Sequence, residues 1–177
     1  RGMLELPIET ERLKLRRHQP EDRDAFVKLV CDARFHEHLS VPEWQRTPDG
    51  AREVFDTIVK SYETEEPVWG LTVADLASDA FLGTVALHPI PFGEALEVFY
   101  AVVPRRWGEG LATEALSALM AAVPDKAFVA LTSPANEASK HVALRAGFRY
   151  YLQHPQNDVT AALAEGEAFV TSVFAAY

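Results

Sequence analysis

The sequence predicts a single domain of mixed α/β structure, and three observations carry that prediction. The chain has 177 residues, 48% of them hydrophobic, enough to enclose one sizeable core and too few for a second. Strand-like apolar runs interleave with stretches that repeat apolar residues at helical spacing. One stretch, Glu97 to Ala115 (EVFYAVVPRRWGEGLATEA), passes from an apolar run through a glycine-rich bend into a helical pattern, in the order strand, turn, helix.

Composition narrows the function. A formal charge of −9 at pH 7, with no long run of Lys or Arg, speaks against a nucleic-acid partner, whose affinity rests on neutralised phosphates. A cationic or amine substrate suits that field better. Cys31 is the only cysteine, so an internal disulfide and a multi-cysteine metal site are excluded, and a reducing compartment is expected. The polar N-terminus has no signal-type apolar core, and no segment is long enough to span a bilayer. A soluble, cytoplasmic protein without a membrane partner follows.

In chain order, Leu13 and Leu15 alternate with Arg12, Lys14 and Arg16 as a strand with one wet face. Pro20, Glu21 and Asp22 open a helix with acids at its positive end, and Ala25, Phe26, Leu29 and Val30 turn inward. Cys31 reads as a small core residue. Arg34 to Arg46 has no clear period and reads as a loop or broken helix of the kind that lines substrate sites. Its His36 and His38 lack the spacing of a helical zinc pair and a third ligand, so no metal is expected. Thr47, Pro48 and Asp49 then cap a second helix, with the stripe Ala51, Val54, Phe55, Ile58, Val59 and Tyr62.

Val68 to Ala74 and Phe81 to His88 predict an antiparallel hairpin, with Gly83 marking a close approach or bulge. Pro89, Pro91 and Gly93 lead rigidly into the central strand, Val98 to Val103. Beyond the bend, Leu111, Leu116, Leu119, Met120 and Val123 trace a helix stopped by Pro124. Ala127 to Thr132 is a short strand, and Ser133 to Asn136 caps another helix that Gly147 closes in a left-handed conformation. Phe148 to Leu152 and Phe169 to Ala176 are the last strands, joined by a loop through Gln153 to Gly166. The bend itself has the means to hold a phosphate, because glycines admit close backbone approach and a helix's first turn has free amides at its positive end.

Taken together, W-G-E-G-L-A-T-E-A at Trp107 to Ala115, N-E-A-S at Asn136 to Ser139 and G-F at Gly147 and Phe148 resemble the GNAT superfamily of N-acetyltransferases. The opening I-E-T-E-R-L-K-L-R at Ile8 to Arg16 and P-E-D at Pro20 to Asp22 look like its ribosomal-protein N-acetyltransferase branch. The resemblance runs over nearly the whole chain. It implies a mixed, mostly antiparallel sheet flanked by about four helices and splayed open between the strands at Glu97 to Val103 and Ala127 to Thr132. Acetyl-CoA would lie in that gap as co-substrate, without a metal.

The resemblance also implies roles. The pyrophosphate would rest on Trp107, Gly108, Glu109, Gly110, Leu111 and Ala112, with a hydroxyl contact from Thr113, and the pantetheine arm would pair with Val102 and Val103 like an added strand. Trp107 and Glu109 depart from the superfamily's common pattern. Glu109 would repel a pyrophosphate unless it turns to solvent, so Arg105 and Arg106 are the candidates for supplying positive charge. Glu97, matching the acid of an E-x-x-Y strand, is the candidate base that takes the amine's proton, directly or through water. The Val102 amide is the candidate donor to the thioester oxygen. Asn136 as N-cap would place Ser139 in the first helical turn, to protonate or hydrogen-bond the departing thiolate. Many relatives use a tyrosine four residues on, where this chain has Ala143.

The expected reaction is direct acetyl transfer from the thioester to a primary amine, either a protein's N-terminal α-amino group or a small amine such as an amino acid, polyamine or drug. The acceptor pocket would be built from Arg34 to Arg46, Tyr62 to Pro67 and the last hairpin. Two rivals stand beside it: a CoA-binding regulatory module without turnover, and a phosphate-binding domain for another nucleotide. Either a monomer or a homodimer is compatible with the sequence.

Overall fold

In the computed structural model, which describes residues 4–36, 41–89, 96–123, 126–132, 136–152 and 172–176, the chain forms one eight-stranded sheet with helices on both faces. In chain order the strands are β1 (Ile8–Glu9), β2 (Leu13–Arg17), β3 (Trp69–Asp75), β4 (Phe81–Pro89), β5 (Leu96–Val102), β6 (Phe128–Thr132), β7 (Arg149–Leu152) and β8 (Ser172–Ala176). They lie side by side as β1-β2-β3-β4-β5-β6-β8-β7. Every neighbouring pair is antiparallel except β5 and β6. The expected mixed, mostly antiparallel sheet is therefore present.

Helix α1 (Arg23–Cys31) follows a single 3-10 turn at Pro20–Asp22, and the single-turn helix α2 (Ala33–His36) and a second 3-10 turn at Glu43–Arg46 break the segment expected to be irregular. Helix α3 (Pro48–Ser61) starts as predicted, with the Gly50 amide donating to Thr47 Oγ1 at 3.1 Å. Helices α4 (Leu111–Ala121) and α5 (Glu137–Arg145) follow β5 and β6. Gly147, at φ +97°, ends α5 as expected. His38, Pro91, Gly93, Pro124, Ser133 and the connection from Gln153 to Gly166 lie outside the described residues.

Register divides the side chains between two faces. Thr72, Thr84 and Arg16 share one face with α1 and α3; Leu13, Leu15, Leu71, Val73, Val85 and Val98 share the other with α4. Phe55 and Phe26 pack on the first face, while Leu111, Leu116 and Leu119 of α4 are buried on the second. Gly83 is required by close approach, because a Cβ there would lie 2.1 Å from the Ala101 carbonyl oxygen on β5.

The first face also buries charge. Arg16 grips Asp22 with two guanidinium bonds of 2.7 and 3.1 Å, and Thr72 donates to the same carboxylate at 3.0 Å. Burial pushes the Asp22 carboxyl up, and Arg16, the Gln19 amide and Thr72 together hold it below the usual carboxylate range. These contacts join the R of K-L-R to the D of P-E-D, so two segments of the opening motif are one structural unit.

The sheet's one parallel junction is short. Only Leu96, Val98 and the intervening Glu97 pair with β6, opposite Phe128, Ala130 and Val129. Beyond Val98 the two strands part. The sheet is thus splayed at the position the resemblance implied.

Candidate active site

A cleft of about 800 Å³ opens where β5 and β6 diverge, lined by β5 from Glu97 to Val102, by the bend after it and by the first turns of α4 and α5. Backbone alternation decides what β5 offers. The Val103 amide donates to Leu82 on β4 at 2.8 Å, and the Leu96 amide donates toward β6, to Ala127, at 2.9 Å. Even-numbered residues therefore aim their amides at the β6 side. Tyr100 and Val102 lie past the last pair, so their amides face the cleft without a strand to receive them.

This supports the reading of Val102 and corrects that of Val103. The Val103 amide is committed to Leu82, its carbonyl accepts from the Arg106 amide at 3.0 Å, and its side chain is buried. Val103 has no backbone group left for a ligand. The Val102 carbonyl is also taken, by Trp107 Nε1 at 2.7 Å, leaving its amide as the available group.

The bend runs through a 3-10 turn at Pro104–Arg106 and then through Gly108 and Gly110, at φ +83° and +77°. Those angles are the reason for the glycines, since side chains are strained there. The first bond of α4 runs from the Glu114 amide to the Gly110 carbonyl, at 3.1 Å. The amides of Leu111, Ala112 and Thr113 thus lack a preceding turn to bind, and Gly110 as N-cap supplies no side chain to cap them. Three donors at the positive end of a helix facing a cleft make a seat for a phosphate.

Charge around the bend is arranged in a way the sequence did not announce. Arg106 Nε donates to Glu109 Oε2 at 2.6 Å, and this bond holds the Glu109 carboxyl below its ordinary value. Glu109 is accordingly neutralised in place rather than merely turned to solvent. Arg106 lines the cleft; Arg105 is exposed outside it.

The bend is also fastened from a distance. Arg12 Nη1 donates to the Glu109 carbonyl at 2.9 Å, Arg12 Nε to Glu114 Oε2 at 2.7 Å and Thr10 Oγ1 to Glu114 Oε1 at 2.6 Å. T-E-R-L and A-T-E-A, the two motif segments, are bound to each other across 102 residues of sequence.

Two catalytic candidates stand on opposite faces of β5. Glu97 and Phe99 project toward α1 and α2, where Phe99 meets the Phe35 ring at 5.9 Å; Tyr100 projects toward α5. Glu97 lines the cleft, and burial raises its carboxyl above the usual range. Its cross-strand partner is His88, whose ring desolvation lowers in pKa although part of it reaches the surface. On the other side Asn136 caps α5 as expected, its Oδ1 accepting from the Ser139 amide at 3.1 Å. Ser139 Oγ lies 2.8 Å from the Tyr100 hydroxyl, a contact that motif reading missed because the partners come from different elements.

Toward α1 and α2 the cleft is lined by Leu29, Arg34, Phe35 and Val41. Of the segments expected to build an acceptor pocket, the one from Arg34 to Arg46 thus reaches the cleft, whereas no described residue from Tyr62 to Pro67 does. Tyr62 instead hydrogen-bonds the Gly70 carbonyl and the His18 amide in the core. Cys31 borders the core, its thiol pKa raised by burial, away from the cleft lining. Among the described residues no group of three His, Cys, Asp or Glu could hold a metal, and no helix is long and apolar enough to cross a membrane.

The family model for the acetyltransferase (GNAT) domain matches residues 12–149. The chain belongs to the GNAT family of acetyltransferases and is an N-acetyltransferase that draws its acetyl group from acetyl-CoA. Its fold is similar to that of a GNAT-family acetyltransferase from Bacillus anthracis, with a TM-score of 0.76 at 19% identity over 97% of this chain and 98% of that one. The ribosomal L7/L12 α-N-protein acetyltransferase RimL in complex with coenzyme A gives 0.72 at 19% identity, over 97% of both chains. The ribosomal-protein-S5-alanine acetyltransferase of Vibrio fischeri gives 0.71 at 18%, over 97% of this chain and 96% of that one. No curated protein is matched by the sequence.

Proposed function

We propose that this chain, as a single domain over residues 1–177, acetylates the α-amino group of a protein N-terminus. The observation that carries this reading is the division of β5: open amides and the α4 seat for the cofactor, with a desolvated carboxylate facing away from Tyr100 and Ser139. Acceptor and thiol-leaving groups are then on opposite sides of the reacting carbon. The RimL and S5-alanine acetyltransferase likenesses support a protein N-terminus over a small amine.

The chemistry follows from the residues. The amides of Leu111, Ala112 and Thr113 hold the pyrophosphate, and the open edge of β5 at Tyr100 and Val102 orders the pantetheine arm. The Val102 amide donates to the thioester oxygen as negative charge develops there. Glu97, with a carboxyl pKa nearer neutrality than usual, takes the proton of the incoming amine directly or through one water. As the C–S bond breaks its electron pair goes to sulfur, next to Ser139 at the start of α5. Cytoplasmic location, and a monomer or homodimer, complete the reading.

Calorimetric titration with acetyl-CoA tests the seat, and release of CoA thiol in the presence of peptides with free Ala, Ser or Met N-termini tests the acceptor. The same peptides acetylated at the N-terminus should release none. Turnover with spermidine or lysine alone would move the acceptor to small amines, and binding without thiol release would leave a CoA-binding module.

A further inference from the structure

The two faces of β5 divide the reactants. Tyr100 projects to the face that carries α4 and α5, whereas Glu97 and Phe99 project to the opposite one, toward α1 and α2. An amine that gives its proton to Glu97 therefore enters along α1 and α2. The wall it passes is apolar, made by Leu29, Phe35 and Val41, and among the described residues Arg34 is its one charge. Asp32 takes Nε and Nη2 of Arg34 at 3.0 and 2.8 Å, and the guanidinium carbon lies 5.9 Å from the Trp107 ring. These contacts orient the guanidinium without using its outer end. Nη1 has no hydrogen-bond partner among the described residues, and the side chain is 60% exposed. The other ionisable groups of the cleft are engaged or stand on another wall: Arg106 is bound to Glu109, Glu137 to Lys140, and His141 and Arg145 belong to α5.

Resting on the reading of the acceptor as a protein N-terminus, we propose that Arg34 selects among such acceptors and favours those with an acidic side chain at the second to fourth residue. The carboxylate takes the Nη1–Nη2 end of the guanidinium while the α-amino group reaches Glu97. Phe35 sets the spacing. Its ring meets Phe99 at 5.9 Å, and Phe99 stands two residues, about 7 Å, along β5 from Glu97. An extended acceptor rises about 3.3 Å per residue, so its second to fourth side chains pass Arg34 on the way toward Trp107. Because Asp32 already offsets part of the charge, the selection rests on directed hydrogen bonds at close range rather than on a long-range field.

Peptides with a free N-terminal alanine, paired as Asp and Asn at the second, third or fourth residue, are compared by release of CoA thiol at low ionic strength. The parent protein should favour Asp about three- to tenfold in kcat/KM in at least one pair, chiefly through KM. That ratio should shrink toward one in about 0.5 M salt. Arg34→Ala should bring it to about one, Arg34→Lys should keep part of it, and Arg34→Glu should favour Lys over Asn at the same residue. The salt arm uses the parent protein alone and stands even where a variant does not fold. Equal rates within all three pairs, or an Asp preference that survives Arg34→Ala, would overturn the proposal and leave the acetyltransferase reading intact. A raised Michaelis constant for acetyl-CoA in Arg34→Ala, with the Asp to Asn ratio unaltered, would overturn it by giving Arg34 to a cofactor phosphate. Absence of thiol release with every peptide would overturn the reading of the acceptor first, and this selection with it.

Discussion

Glu97 is the residue whose environment most directly sets a rate. Desolvation without a cationic partner raises its carboxyl pKa, so activity should fall on the acid side along a limb lying above the ordinary carboxylate value of about 4.3. Glu97→Gln should remove that limb and lower turnover most at neutral pH, with acetyl-CoA affinity retained; equal activity across the pH range would exclude it as base. His18 makes the matching statement about stability. Thr72 gives its hydrogen to Asp22, so it accepts from His18 Nδ1 at 2.6 Å, and Nε2 is left bare between the rings of Phe26 and Phe55. Burial lowers the His18 pKa to about 4, against the attraction of Asp22, with Arg16 adding a smaller downward push. The unfolded chain therefore binds a proton that the folded one refuses between about 6.5 and 4, and folding stability falls as pH drops through that window. The loss approaches roughly 3 kcal/mol at its lower end. Urea unfolding at pH 7 and pH 4.5 should show this slope in the parent protein and a flatter one in His18→Asn.

At the scale of elements, the bend before α4 is held by its own backbone angles and by a hairpin from the other end of the chain. Gly110→Leu should raise the Michaelis constant for acetyl-CoA severalfold or more, since a side chain at φ +77° forces the first helical amides to turn. Arg12→Ala should raise the same constant with a smaller effect on turnover, because it frees the Glu109 peptide without touching the reacting atoms. Parallel kinetics on the two variants would show whether geometry at the bend, rather than charge, controls cofactor binding. Periodic elements were legible from the sequence: α3 and α4 declare themselves by apolar spacing, whereas the splay came only from the family resemblance. The two-residue β1 and the single-turn α2 were not, being too short to show a period. Arg12 and Tyr100 escaped for another reason. Both stood in the quoted motifs, but their partners, Glu114 and Ser139, are 102 and 39 residues away, and spacing carries no information about contacts made by folding. Val103 was misread because alternation fixes which amides face the gap, and one confirmed bond is needed to set its phase.

At the scale of the molecule, three residue pairs are all that join β5 to β6, so a ligand lying in the splay touches both parts of the sheet. CoA at a hundred times its dissociation constant should add about 2.7 kcal/mol to the folding stability, with the thermal midpoint rising accordingly. Hydrogen exchange should slow at the Tyr100 and Val102 amides on one side and in the first turn of α5 on the other. Protection confined to one side would mean that the cofactor does not bridge the splay. The same geometry equips the protein with an optical reporter. The half-exposed indole of Trp107 is tied to Val102 on the open strand edge, and the Arg34 guanidinium lies 5.9 Å from its ring. Any guest that beds down along that edge must disturb the indole, and its fluorescence should change in step with occupancy. Trp44, on the surface beyond the cleft lining, and Trp69, sealed in the interior, would supply a steady background, making the unlabelled chain its own binding assay.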